Sequence, residues 1–202
     1  MDEFKSVINS QEKGEGKGIQ IVSMFFLLPV ISLLYTSIQN QTIGSLFGAI
    51  GFLVVVLLMF FIGKHQNNKY NKLGATPLTL TPAFCTIGST CNGSIEITRE
   101  KFNKVKTLSL SSWKYTRVSS DYRFEKVWEH SLPLTSKFIN NKTILEFSFV
   151  IPLGHKPTYK SLLSKNKHHW EVSFEFVESM DSITRTWKIP VKKYNKSLKQ
   201  DK

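Results

Sequence analysis

Two stretches decide the fold: IQIVSMFFLLPVISLLYTSI at Ile19–Ile38 and IGSLFGAIGFLVVVLLMFFI at Ile43–Ile62, separated by Gln39-Asn40-Gln41-Thr42. Each is 20 residues long and neither contains a charged side chain. About 20 apolar residues at a rise of ~1.5 Å span a hydrocarbon layer of ~30 Å. A backbone in lipid must satisfy its own hydrogen bonds, so both stretches are expected to be helical. A four-residue connection turns them into a tight antiparallel hairpin. A helix on the surface of a soluble core shows a polar face, and Phe52–Phe61 shows none. A cleaved signal peptide competes for the first stretch, but 18 residues precede it and no small-residue cleavage pattern follows. Pro29 lies inside the first helix and predicts a kink there.

Gly44, Gly48 and Gly51 form a smooth stripe along the second helix. Small residues at this spacing permit close helix contact. The stripe has two readings: packing of the second helix on the first, or a homodimer seam between two copies of the second helix.

Charge sets the expected orientation. The chain of 202 residues carries a net charge of +12. Residues 64–202 hold 24 Lys and Arg against 11 Asp and Glu, so that part carries +13. Lys13 and Lys17 precede the hairpin, Lys64, Lys69 and Lys72 follow it, and the connecting loop has no charge. By the positive-inside rule both termini face the cytoplasm, giving a multi-pass protein with its loop outside.

The remaining divisions follow from composition. Residues 1–18, with Lys13-Gly14-Glu15-Gly16-Lys17-Gly18, read as a flexible tail. Residues 63–72 read as a polar linker that includes His65. From 73 to 193 the pattern changes to period two in Val, Ile, Thr, Phe, Tyr and Trp. Residues 194–202 form a basic tail. Seven strands are expected: Thr76–Thr81, Gly93–Thr98, Lys104–Tyr115, Tyr122–His130, Thr143–Ile151, His168–Glu178 and Ile183–Val191. Turns are expected at Asn92-Gly93, Ser119-Ser120-Asp121, Asn140-Asn141 and Ser179–Ser182. The fold class is therefore an α+β membrane protein: a transmembrane helical hairpin followed by an antiparallel β-sandwich of the immunoglobulin or arrestin type.

Alternation assigns the expected core. Leu145, Phe147, Phe149 and Ile151 share one strand face; Trp170, Val172, Phe174 and Phe176 share another. Tyr122, Phe124 and Trp128 are read the same way, as core rather than as a platform for a sugar or a nucleobase, because half-buried strands alternate in this manner.

Five segments carry a resemblance: Gly93-Ser94-Ile95-Glu96-Ile97, Val127-Trp128-Glu129, Phe147–Pro152 with Pro157, His169-Trp170-Glu171-Val172, and Trp187-Lys188-Ile189-Pro190-Val191. Over roughly residues 76–193 the chain resembles the C-terminal domain of uncharacterised bacterial inner-membrane proteins. That domain is itself similar to one arrestin-like lobe. The resemblance implies an inner-membrane location and binding of other proteins, and it implies no activity.

No constellation for catalysis is found, so the chain is read as not an enzyme and without a cofactor. No nucleophile elbow, phosphate-binding glycine loop, HExxH or nucleotide fingerprint is present. Cys85 and Cys91 lack the neighbours a metal site wants. Free thiols are the expectation for a cytoplasmic domain, and a disulfide would contradict the orientation. His168 and His169 are adjacent, so on a strand they face opposite ways and do not chelate one metal. No metal site is expected. The basic residues Lys64, Lys69, Lys72, Lys192, Lys193, Lys196 and Lys199, with Lys156, Lys160, Lys165 and Lys167, are read as contacts to anionic lipid or as a solvated surface. Lipid contact is worth roughly 1 kcal/mol per residue near the bilayer. Nucleic acid is not expected as a partner.

The expected function is a membrane-anchored interaction or scaffold module at the cytoplasmic face. The alternative is an accessory subunit of a larger membrane complex, bound through its hairpin. The partner protein is not named by the sequence.

Overall fold

A computed structural model describes residues 5–40, 43–99, 102, 104–118, 121–159, 166–178 and 181–193. Lys160, Lys165, Lys196, Lys199 and the turns at Ser119-Ser120 and Ser179-Met180 lie outside the described residues. The chain divides into two compact units, Glu12–Lys72, and Met1–Gln11 together with Leu73–Lys202.

The first unit is helical: α1 (Glu15–Phe25), α2 (Leu27–Asn40) and α3 (Ile43–Asn71). Two helical spans, Glu15–Asn40 and Ile43–Asn71, are long and apolar enough to cross a membrane. The break between α1 and α2 falls at Phe26, next to Phe25. Phe25 is four residues before Pro29, where a proline ring clashes with the helix carbonyl and removes its donor.

The helices meet along small residues. Gly16 and Ser23 are buried on α1, Val30 and Ser37 on α2, and Ala49, Val56 and Gly63 on α3. Both rows repeat every seven residues, the period that keeps one seam against a partner helix. The closest approach is at Gly16 and Gly63. A Cβ on Gly16 would stand 2.5 Å from the Gly63 carbonyl oxygen, and one on Gly63 would stand 2.8 Å from that of Gly16. Gly44, Gly48 and Gly51 take no part in this packing: a Cβ on any of them meets nothing within 4 Å. This corrects the reading of that stripe as the contact with the first helix.

The segment expected to be a linker is also helical, since α3 continues through Lys64, His65 and Lys69 to Asn71. Nothing in Lys64–Asn71 breaks a helix, and the first residue after it with positive φ is Gly74, at 68°.

The second unit is built from eleven strands among the described residues. One sheet has β1 (Ser6–Ile8), β2 (Leu78–Thr81), β4 (Thr90–Ile97), β8 (Lys142–Val150) and β7 (Thr135–Ile139), in the order β1-β2-β4-β8-β7. The other has β5 (Val105–Val118), β6 (Asp121–Ser131), β9 (Asn166–Glu178) and β10 (Asp181–Ile189), in the order β10-β9-β5-β6. Both are antiparallel. A short parallel pair joins β3 (Cys85–Thr86) to β11 (Val191–Lys192).

The two sheets share one hydrophobic cluster, with Leu80, Ile95, Leu145 and Phe149 from the first and Leu110, Trp170, Phe174 and Trp187 from the second. Trp170 and Trp187 are fully buried, and their indole N–H groups donate to the carbonyls of Lys156 and Thr76, each at 2.9 Å. Buried indoles need such partners.

Three features depart from the sequence-based expectations. The tail expected over residues 1–18 contains β1, with Ser6 opposite Leu80 and Ile8 opposite Leu78, and its Gln11 N–H bonds to the Thr186 carbonyl at 2.8 Å. Asn92-Gly93 is no turn but the middle of β4, where Gly93 lies opposite Phe147 and the phenyl ring fills the space a Cβ would take. The register of β5 and β6 shifts between Ser112 and Trp113, so Trp128 lies opposite Ser112 but Lys126 lies opposite Trp113. A bulge of this kind reverses the facing of everything beyond it. Trp128 stays against the core cluster, while Phe124 is turned out and is 59% exposed. The turn at Asn140-Asn141 forms as expected, with φ of 50° and 60°, the geometry of a two-residue hairpin loop.

Candidate functional site

The bulge gives the outer face of the β10-β9-β5-β6 sheet an unusual composition. Trp170, Val172, Phe174 and Phe176 of β9 point into the core, so His169 and Glu171 point away from it. Across from His169 on β5 is Trp113, stacked on the imidazole at 6.4 Å between centroids and 11° between planes. Tyr115 packs on the same imidazole at 4.7 Å, and Phe124 packs on Tyr115 at 4.3 Å. The Lys126 ammonium lies 5.3 Å from the Trp113 ring centroid, a cation–π distance.

Within this aromatic surround sits a histidine–carboxylate pair. His169 Nε2 is 2.7 Å from Glu171 Oε1, and Gln11 Nε2 donates to the same oxygen at 3.2 Å. A carboxylate can only accept, so Nε2 carries the shared proton. The His169 side chain is 7% exposed and that of Glu171 14%. Burial pushes the Glu171 carboxyl up, but hydrogen bonds from His169 and Gln11 and the charges of His169 and Lys188 outweigh it and hold the group below its usual range. Burial, then the charge of Glu171, pushes the Tyr115 phenol up. On the other face, burial followed by Lys156, Lys114 and His169 pushes the His168 imidazole down. His168 and His169 are thus on opposite sides of β9, as adjacent strand residues must be.

A cleft of about 380 Å³ opens beside this pair, lined by Thr158, His169 and residues 188–192. Its walls are tied together. Thr158 Oγ1 donates to the Ile189 carbonyl at 3.2 Å and accepts from the Val191 N–H at 3.0 Å, and the Thr158 N–H donates to the Val191 carbonyl at 2.8 Å. Lys192 Nζ lies 3.4 Å from the centroid of the Phe84 ring. Two further clefts lie along β8, one of about 490 Å³ next to Thr79, Asn92 and Glu146, and one of about 380 Å³ next to Trp128, His130 and Phe149.

The lysines read as lipid contacts fall in separate units. Lys64 is exposed on α3; Lys69 and Lys72, at its end, are half-buried. Lys192 and Lys193 are exposed at β11. Lys192 is among the residues lining the cleft beside His169. Cys85 and Cys91, expected to be free thiols, form a disulfide, with both residues fully buried and their Cα atoms 5.8 Å apart. Adjacent strands β3 and β4 bring them together, which spacing alone does not reveal. Among the described residues, no three His, Cys, Asp or Glu side chains are grouped to hold a metal ion.

The outer-face cluster was not visible in the sequence. His169 and Glu171 stand two apart on one strand, the spacing that puts both on one face, yet acids alternating with apolar residues read as solvated. No protein-family model matches this chain, and no curated protein matches it.

Proposed function

We propose that the chain is a membrane-anchored β-sandwich interaction module, held at the cytoplasmic face of a bacterial inner membrane by the α1–α3 hairpin. The observation that carries this reading is the pairing of β1 with β2, which places the two chain ends of the hairpin in one sheet. A hairpin whose ends meet on one side crosses a bilayer an even number of times, which suits two spans and not one. The broad exposure of Phe25, Leu28, Phe47, Val55, Leu58 and Phe61 supports lipid around the hairpin. The lysines flanking it favour the cytoplasmic face. The immunoglobulin or arrestin-like sandwich is the fold this reading expects of the β unit.

The Cys85–Cys91 disulfide favours a second reading, with the β unit on the opposite, oxidising side. Labelling of single cysteines introduced at Ser136 and Ser45, in intact cells with a membrane-impermeant maleimide, separates the two. The first reading expects Ser136→Cys to stay unlabelled until the cells are permeabilised. Affinity purification with and without the hairpin then tests whether partners bind the β unit, or bind through the hairpin as for a subunit of a larger complex.

A further inference from the structure

We propose that the cleft beside His169 is an anion site for the phosphate group of a small organophosphate or of a lipid headgroup. This goes beyond the interaction-module reading and holds on either side of the membrane. Two lysines are among the residues lining the cleft, Lys188 at the end of β10 and Lys192 in β11. Lysine serves phosphate as a point charge, and two of them on one cleft make a clamp.

Both cations have defined surroundings. Lys192 stands over the Phe84 ring, and Lys188 lies opposite Glu171 across the β9–β10 pair. Glu171 is not among the residues lining the cleft, and it accepts hydrogen bonds from His169 and Gln11 at 2.7 and 3.2 Å. Among the described residues the lining includes two lysines and no carboxylate. Trp113 and Tyr115 pack on His169 and shield it from bulk water, and weaker screening strengthens attraction to an anion. The three hydrogen bonds of Thr158 fix the opposite wall, so little ordering remains for binding. Ile189, Pro190 and Val191 offer apolar surface between the lysines. A volume of about 380 Å³ lies at the low end for ligand clefts, which suits a phosphate carrying a small body such as glycerol. The β unit, Met1–Gln11 with Leu73–Lys202, holds 22 Lys and Arg against 13 Asp and Glu, and this net +9 steers anions toward it.

The test uses the full chain in phosphatidylcholine nanodiscs, titrated with glycerol 1-phosphate. Binding is followed by calorimetry and by hydrogen exchange at residues 158 and 188–192. Saturable binding is expected, with protection at those residues. Lys188→Gln combined with Lys192→Gln should weaken it about tenfold or more, and the double Arg variant should restore it. Lys106→Gln combined with Lys137→Gln removes the same charge elsewhere and should change affinity by less than about twofold. A second set of nanodiscs replaces part of the phosphatidylcholine with phosphatidylglycerol. Protection that appears there and is lost in the double Gln variant identifies the lipid headgroup as the source; protection with glycerol 1-phosphate alone identifies a soluble ligand. Equal weakening in both Gln pairs would show diffuse attraction and overturn the site, as would the absence of saturable binding together with no response to phosphatidylglycerol.

Discussion

Ser6 lies opposite Leu80 in one antiparallel strand pair, and the whole helical hairpin lies between them in the chain. The β unit is therefore not a domain appended after two long apolar helices. It starts before them, is interrupted, and resumes. Leu80 is fully buried and Ile8 packs against the core cluster, so the short first strand covers one side of β2.

The first prediction tests that strand. Ile8→Ala removes partly buried apolar surface and should lower stability by about 1–2 kcal/mol. Val7, 66% exposed, should tolerate alanine with no measurable change. Denaturant midpoints of the two variants provide the comparison, and equal effects would mean that β1 contributes nothing through its inward face.

The second concerns the hairpin seam. Gly16→Val or Gly63→Val puts a side chain where the facing backbone stands within 3 Å, and should separate the polar ends of the helices. Gly48→Val should leave the hairpin closed, because its position is open. Cysteine cross-linking between Gln20 and Lys64 reads the separation. A dimer seam at Gly44, Gly48 and Gly51 would show instead as loss of an intermolecular cross-link in Gly48→Val.

The third concerns the core. Trp170 and Phe149 come from different sheets and are 0% and 5% exposed. Truncation of either to Ala should cost about 3–5 kcal/mol, with the indole change also orphaning the Lys156 carbonyl. Phe124→Ala, on the outward side of the bulge, should cost much less. A chemical denaturation series on the three variants ranks them, and a Phe124 effect as large as that of Trp170 would place the bulge elsewhere.

The fourth concerns the disulfide. Cys85 and Cys91 enclose a short loop, for which chain entropy assigns about 2 kcal/mol. Cys85→Ala with Cys91→Ala should lower stability by that order. Thiol alkylation of the unfolded native chain should require prior reduction. Full alkylation without reductant would show that the two sulfurs do not stay bonded in the cell.

The fifth concerns pH. The His168 imidazole is pushed down by burial and by Lys156, Lys114 and His169, so the unfolded chain takes up a proton that the folded chain resists. Stability should fall as pH drops through the unfolded value of about 6.5. Glu178 is held below its usual range mainly by hydrogen bonds from Arg99 at 3.0 and 3.1 Å. That contribution is present above the unfolded carboxylate value, about 4.3, and is lost as pH falls further through the folded value. Urea midpoints across pH should decline in both ranges. His168→Gln should flatten the first decline, and Glu178→Gln the second.

The hairpin was readable because an apolar run without charge over 20 residues has few other uses. Most strands were readable because one face is buried and the other is not. What stayed hidden depended on pairing across the chain. β1 has three residues, too few for any periodic signal. Val127 is bulged by its partner strand, so the alternation of Tyr122, Phe124 and Trp128 pointed to a single face that does not exist. Gly16 and Gly63 lie at the polar ends of the helices, outside the apolar runs where close contact was sought. The glycines inside the runs formed a better pattern and packed against nothing. The Glu171 carboxylate bonded to His169 also accepts from Gln11, which arrives from the far end of the sequence.

The interrupted sheet also orders events during synthesis. β1 leaves the ribosome about seventy residues before β2, the strand it must pair with. At roughly 5–20 residues per second, that is a delay of about 4–14 s. Over that interval both apolar helices are made. Until β1 is paired, the outer edge of β2 stays open. Closing the sheet therefore needs residues from both sides of the hairpin.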